Sequence, residues 1–327
     1  MKRRLFSKLA VTGVWTLTGA FTGTRAAASE YPQHAITIVN PFAAGGSLDI
    51  LCRMLAKMMS ETIGQAVIVE NRPGAASVIG SQYVANAKAD GYTILAQASN
   101  FVVAPALGAP LPYDWRRDFV AISQLGSIAQ ALSVPESSPL RNVAELVKFA
   151  KLHPGEVTYG SLGQGSGGHV TAAQFEQMAG IRLTQVPFKG MSQTLAALAG
   201  GHIQMAFGNL PEILHYQRLG RVRPLALGSK TRSPLAPDLP TMSEVGFPGF
   251  VAEPWYGVLA PAETPKPVVD RIHQELLRVL KQPEIEVRLR EMGIRSVGST
   301  PQAFQQFMES EFATFVKVGR EAKIQLN

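Results

Sequence analysis

Ile36-Thr37-Ile38-Val39, then Asn40-Pro41-Phe42-Ala43-Ala44-Gly45-Gly46-Ser47-Leu48-Asp49, then Ile50, Leu51, Met54, Leu55, Met58 and Met59 form the stretch that decides the fold. Four β-branched residues predict a short strand, the paired glycines a tight loop, and the apolar recurrence at helical spacing a helix. The unit then repeats. Val67-Ile68-Val69 reads as a strand, Asn71-Arg72-Pro73-Gly74 as a turn, 78–88 as a helix, and 92–96 as a strand after the Asp90-Gly91 turn. Alternating strands and helices predict an α/β chain whose sheets are mainly parallel and covered by helices.

A second copy of the pattern lies mid-chain. Asn142-Val143-Ala144-Glu145 is a helix-capping signature, and His153-Pro154-Gly155 ends that helix. Val157-Thr158-Tyr159 then leads into Gly160-Ser161-Leu162-Gly163-Gln164-Gly165-Ser166-Gly167-Gly168-His169, which opens a helix running to Met178. A strand over 183–186, a helix over 193–198 and a strand over 203–207 follow. The Pro-rich stretch 223–261 shows the least regular pattern, and two long helices starting at Pro267 and at Thr300-Pro301 close the chain. Phe304, Phe307, Phe312 and Phe315 are expected to face the core, as is Cys52 among Leu51, Met54 and Leu55.

The 327 residues suggest two domains at about 150 residues each. The formal charge of +7 is misleading, because residues 1–28 have the layout of a cleaved secretory signal. They carry Lys2, Arg3, Arg4, Lys8 and Arg25, no acid, a weakly apolar middle and a small-residue end, Ala26-Ala27-Ala28. Cleavage there leaves 31 − 5 = 26 basic residues against 24 acids, so the charge falls to +2 and a nucleic-acid partner is not expected. Arg3-Arg4-Leu5-Phe6-Ser7-Lys8 resembles a twin-arginine export signal. A single cysteine in an exported chain forms no internal disulfide.

Each glycine loop follows a strand and opens a helix, so free main-chain N–H groups and the positive end of a helix dipole face whatever the loop holds. That geometry suits an anion, and Ser47, Ser161 and Ser166 offer hydroxyl donors. Other chemistries fit less well. Gly163-Gln164-Gly165-Ser166-Gly167-Gly168 matches a dinucleotide fingerprint, but Thr184-Gln185-Val186 supplies no acid at the end of the next strand. Phe188-Lys189-Gly190-Met191 is not a phosphate loop, and none of the three serines has the flanking glycines of a hydrolase elbow. The six histidines show no metal-pair spacing, so no metal or other cofactor is expected.

The segments Pro41 through Asp49, Glu70-Asn71-Arg72-Pro73-Gly74-Ala75, Asp90-Gly91-Tyr92-Thr93, Tyr159-Gly160-Ser161 with Ser166 and His169, Val186-Pro187-Phe188-Lys189-Gly190, Asn209-Leu210-Pro211 and Trp255-Tyr256-Gly257 resemble the Bug family. These are periplasmic solute-binding proteins of the tripartite tricarboxylate transporter type. The resemblance implies a two-lobed type 2 periplasmic-binding fold, a chain that crosses twice between lobes, and a small carboxylate clamped in the cleft. It implies a first lobe of 29–124 plus 250–327 and a second of 125–249. By position it assigns ligand contact to Phe42, Ala44, Gly45, Gly46, Ser47 and Asp49 in the first loop, and to Ser161, Gly163, Gly165, Ser166 and His169 in the second. Ser99, Lys189, Gly208, Asn209 and Trp255 complete the expected set. Related chains often carry an acid where Gly208 stands, so its neutrality suggests a ligand without an ammonium group. The implied protein is a periplasmic monomer, not an enzyme, that delivers its ligand to membrane subunits. A secreted α/β enzyme using His169 as acid or base, and a sensor for a membrane receptor, are the alternative readings. Intact-mass measurement of the exported protein is expected to place its first residue at Ser29.

Overall fold

The computed structural model describes residues 31–324; the expected signal segment 1–28 lies outside them. The chain runs β1 (Ile36–Asn40), α1 (Ser47–Ile63), β2 (Val67–Asn71), α2 (Val78–Ala85), β3 (Thr93–Ala98), α3 (Asn100–Ala106) and β4 (Phe119–Ile128). It continues through β5 (Gln130–Pro135), α4 (Val143–Leu152), β6 (Thr158–Ser161), α5 (Gly167–Ala179), β7 (Thr184–Pro187), α6 (Met191–Ala199), β8 (Ala206–Asn209), α7 (Leu210–Arg218) and β9 (Val222–Leu227). β10 (Trp255–Pro261), α8 (Lys266–Leu280), α9 (Pro283–Glu291), β11 (Ile294–Ser296) and α10 (Pro301–Glu321) close it.

The alternation of side chains explains the layers. In β1, Ile36 and Ile38 enter one apolar cluster with α1, α8 and α9, while Val39 enters another with Phe101, Trp255 and Phe304. Each such side chain contributes about 1.5–3 kcal/mol when fully buried. In α4, Asn142 accepts the Glu145 N–H at 2.9 Å and Glu145 in turn accepts the Arg141 N–H at 2.6 Å, so the capping signature forms. Cys52 and Phe304 are buried as expected.

One sheet has the order β11-β4-β10-β3-β1-β2. A second group holds β8-β5-β9, with the parallel pair β6-β7 joined to it through a bridge between Tyr159 and Met205. The expectation of mainly parallel sheets holds for β1 with β2 and β3 and for β6 with β7. It does not hold where β10 pairs with β3 and β4, β11 with β4, or β5 with β8 and β9, all antiparallel. For β5 and β10 the reason is connectivity: they arrive directly from the other sheet with no crossover helix, so they enter from the opposite end. The stretch 223–261 likewise contains most of β9 and all of β10, and α9 and β11 lie between the two predicted closing helices.

The backbone changes sheet at Ala129 and returns at 252–254. Ile128 N–H donates to Pro254 O at 2.8 Å, and Gln130 N–H to Ala252 O at 2.9 Å. Residues 125–128 still belong to the first sheet, and Phe250 and Ala252 pack with Phe175 under the second. The chain thus passes out of the first sheet at 128–130 and back toward it at 252–254.

Gly257, in the middle of β10, lies against the ring of Phe304, and a Cβ there would be 2.2 Å from its Cζ. Gly257→Ala is expected to cost about 1–3 kcal/mol by overpacking. Urea denaturation checks this, and adding Phe304→Leu should make the double loss smaller than the sum of the singles.

Candidate functional site: two glycine loops beside the crossings

The first loop hangs from one carboxylate. Asp49 is 3% exposed and accepts the Gly45 N–H at 2.9 Å, Arg53 Nε at 2.9 Å and Asn71 Nδ2 at 2.8 Å. Asn71 Nδ2 also reaches Phe42 O at 3.2 Å, and Arg53 Nη2 reaches Asn71 Oδ1 at 2.8 Å. Burial raises the Asp49 carboxyl, but the bonds from Arg53, Gly45 and Asn71 outweigh it and hold it below the usual carboxylate range. The Asp49 carboxylate is thus spent on the chain itself, where it bends the loop. Gly45 sits at φ +83°, a conformation that favours glycine. Ala44, Gly46 and Ser47 are exposed, and Ser47 hydrogen bonds the Tyr256 hydroxyl, whose pKa burial raises.

Next to it, Ala75, Ala76 and Ser77 are all left-handed, at φ 44°, 51° and 84°. Gln97 Nε2 donates to the Ser77 hydroxyl at 3.0 Å and Asn100 Nδ2 to Ala76 O at 3.2 Å, holding a turn that costs about 1–3 kcal/mol per residue.

The second loop is braced from within. The Ser161 hydroxyl accepts the Gly163 N–H at 3.1 Å and Gln185 Nε2 at 2.6 Å. Ser166 donates to Gly163 O at 2.7 Å and caps α5 by accepting the His169 N–H at 3.4 Å. The Gly165 N–H donates to His169 Nδ1 at 2.9 Å, so neutral His169 carries its proton on Nε2, and burial lowers its pKa. Gly163 and Gly165 take φ of +105° and +72°. The start of α5 leaves first-turn N–H groups and the positive dipole end beside the loop.

The remaining expected residues divide. The Ser99 hydroxyl ends β3 and accepts the Trp255 N–H at 2.8 Å. Asn209 stands opposite Gln130 at the crossing, and its Nδ2 lies 3.4 Å from Glu212 Oε1. Lys189 is exposed, with its N–H on Gln193 Oε1. Gly208 needs correction: a Cβ there would lie 2.9 Å from Ile213 Cδ1 and 3.3 Å from Leu195 Cδ2, inside an apolar cluster. The alternation of β8 turns that position away from the loops, so its neutrality carries no information about an ammonium group. Trp255 also needs correction. Its ring is fully buried edge-on to Phe304 at 5.1 Å, and its Nε1 donates to Glu311 Oε2 at 3.0 Å. Gln204 Oε1 accepts from the Thr158 amide at 2.9 Å, a bond within the fold.

Asn71, Arg53, Gln185, Tyr256 and Glu311 were not singled out from sequence. Only the Asp49–Arg53 pair had a local signal, its i, i+4 spacing. A cavity of about 460 Å³ lies between 229–235 and 286–296, at the β9 and β11 edges; neither glycine loop lines it.

The arrangement offers main-chain donors on loops whose side chains are spent on bracing, which suits holding a ligand more than transforming one. The family described as "Tripartite tricarboxylate transporter family receptor" matches residues 51–322. Protein BugT of Bordetella pertussis is 32% identical over 320 residues, covering 97% of this chain and 98% of the relative. A protein of Pseudomonas sp. strain P51, from the tcbD-tcbE intergenic region, is 34% identical over 91% of this chain and 89% of its own length. Among solved structures, Rpa4515 of R. palustris with adipate aligns with a TM-score of 0.77 at 34% identity, over 90% of this chain and 99% of that one. MatC of Rhodopseudomonas palustris with bound malate aligns at 0.73 and 27% identity, over 88% and 99%. The two-lobed fold of such periplasmic binding proteins is that of this chain. With the family matched across most of its length, the chain belongs to the tripartite tricarboxylate transporter receptors.

Proposed function

We propose that this receptor works in the periplasm as a monomer, clamps a small carboxylate between its lobes and presents it to membrane transporter subunits. The observation that carries this is the pair of braced glycine loops, one at the head of α1 and one before α5, each with helix-end N–H groups beside it. The adipate and malate in two similar structures support a carboxylate ligand. On this reading the first lobe comprises 31–128 with 254–324, the second 130–252, and residues 1–28 are removed on export. The ligand contacts lie at 42–47, at 161–169 and around Asn209. His169 supports a binding role more than a catalytic one, since its Nδ1 and its main-chain N–H are both bonded within its own loop.

A carboxylate present at 100 times its dissociation constant adds about 2.7 kcal/mol to stability. At about 2–4 °C per kcal/mol, a thermal-shift panel of mono- and dicarboxylates should raise the melting point by on the order of 5–10 °C, while neutral sugars and cationic amines give no shift. Sugars or amines acting in place of carboxylates would overturn the reading.

Asp49→Ala should loosen the first loop without unfolding the chain. Losing a charged hydrogen bond of about 1.5–3 kcal/mol should speed exchange of the Gly45 amide by roughly 10- to 100-fold. The native Asp49 carboxyl lies below its unfolded value, so its contribution to stability is present above the ordinary carboxylate pKa and is lost as pH falls below it. Acid unfolding of Asp49→Asn should accordingly depend less steeply on pH than that of the unmodified protein.

A further inference from the structure

Beside the crossings lies a small, partly open cavity of about 50 Å³. Ser99, Glu311 and Phe315 line it from the first lobe, and Gln130, Gly167 and Thr171 from the second, with 251–254 as its floor. That volume holds a water molecule or two, and Gly167 at the start of α5 borders it. Next to it, Val103, Leu107, Val318 and Ile324 pack against Val170 and Ala173 of α5, an apolar seal between the same two lobes.

Glu311 is the ionisable side chain of α10 that lines this cavity. Its Oε2 accepts the Trp255 indole N–H at 3.0 Å, and the Trp255 amide is itself tied to Ser99. The carboxyl therefore sits on the first residue of the strand that returns from the second lobe. Among the residues lining the cavity, only Glu253 is also ionisable, and its Oε1 is held by Ser127 at 2.8 Å and Arg295 at 2.9 Å. From outside the cavity Lys230 is the cation that acts on Glu311, and from its wall Glu253 is the anion. The elements packed on α10, namely α3, β4 and α5, bring no ionisable side chain into the cavity.

We propose that the receptor captures its ligand together with one proton, held on the Glu311 carboxyl. This rests on the clamping function proposed above. When the lobes part, the cavity opens and water can solvate the carboxylate. When they close, less water reaches it and the charged form is disfavoured, so closure over the ligand takes a proton from solvent onto a Glu311 oxygen. Burial is the largest influence and raises the carboxyl to about 7; the indole bond and Lys230 oppose it, and Glu253 adds to it. The sign follows. Closed Glu311 has the higher pKa, so affinity is greatest at low pH, falls by up to about tenfold per pH unit between the ordinary carboxylate range and pH 7, and levels off above. His169 acts in the opposite direction, since burial favours its neutral form.

The test is calorimetry on the mature chain, with adipate, malate, succinate and benzoate as probes, each titrated in two buffers of different ionisation heat. At pH 6.5 the bound probe should bring most of one proton with it, falling toward zero at pH 8.5. The dissociation constant should rise about tenfold from pH 5.5 to 6.5. Glu311→Gln keeps an acceptor for the indole and should bind the same probe with no uptake beyond the probe's own and a flat profile. Trp emission supplies a second readout: its pH midpoint should move toward 7 when the probe saturates the wild type, and not in the variant. Probe binding without proton uptake, or equal uptake by both proteins, overturns the proton site and leaves the clamp standing. Failure of all four probes to bind overturns both.

Discussion

The three backbone hydrogen bonds that tie 128–130 to 252–254 and Gly228 are the constraint on which the rest depends. Gln130 donates to Ala252 O, and Gly228 donates to Gln130 O at 2.7 Å, so the outgoing and returning chains behave as a narrow ribbon. The residues beside the crossings are placed relative to that ribbon. Ser99 is bonded to the residue that follows it, Asn209 pairs across from Gln130, and the Leu210 N–H donates to Ala129 O at 2.9 Å. A ribbon two strands wide resists shear along its length while bending with little loss of hydrogen bonding, which suits a clamp.

Around this hinge the polar side chains are spent inward. Asp49, Asn71 and Arg53 shape one loop, and Ser161, Gln185, Ser166 and His169 shape the other. The groups left for a ligand are mainly backbone N–H, which favour a carboxylate and discriminate little among the molecules that carry one. Selectivity must then come from whatever else lines the cleft, which is consistent with one family holding ligands as unlike as adipate and malate.

The parts of the fold legible in the sequence are those fixed by local physics. The β1-loop-α1 unit follows from β-branched residues, a glycine at positive φ and helical spacing, and the α4 cap from Asn142 and Glu145. Strands β9 and β10 were hidden because Pro224, Pro254 and Pro261 interrupt the pattern and because their partners are remote in sequence. The same limit applies to the site. Loop positions could be read from glycines, but the direction of a side chain in a strand depends on register, so Gly208 was placed on the wrong side. Trp255 was read as a cleft residue for its position at the return crossing, whereas Phe304 and Glu311, some fifty residues later in the chain, enclose it. Glu311 itself is a lone acid on an amphipathic helix, with no sequence signal to separate it from a solvated one.

The insertion of β10 between β3 and β4 also sets an order of assembly. The second lobe is one continuous segment and can condense as soon as it is available. The six-stranded sheet cannot, because its central strand is synthesised after that whole lobe, and Ser127 finds its partner Trp255 only across the intervening loop. Closing a loop of that length carries an entropic cost that grows only slowly with size but must be met before the non-local pairing forms. Until then β3 has one unpaired edge and β4 has two, since its other neighbour, β11, is later still. The nascent chain is therefore most vulnerable to mispairing in its first third, and the late arrival of β10 removes that exposure.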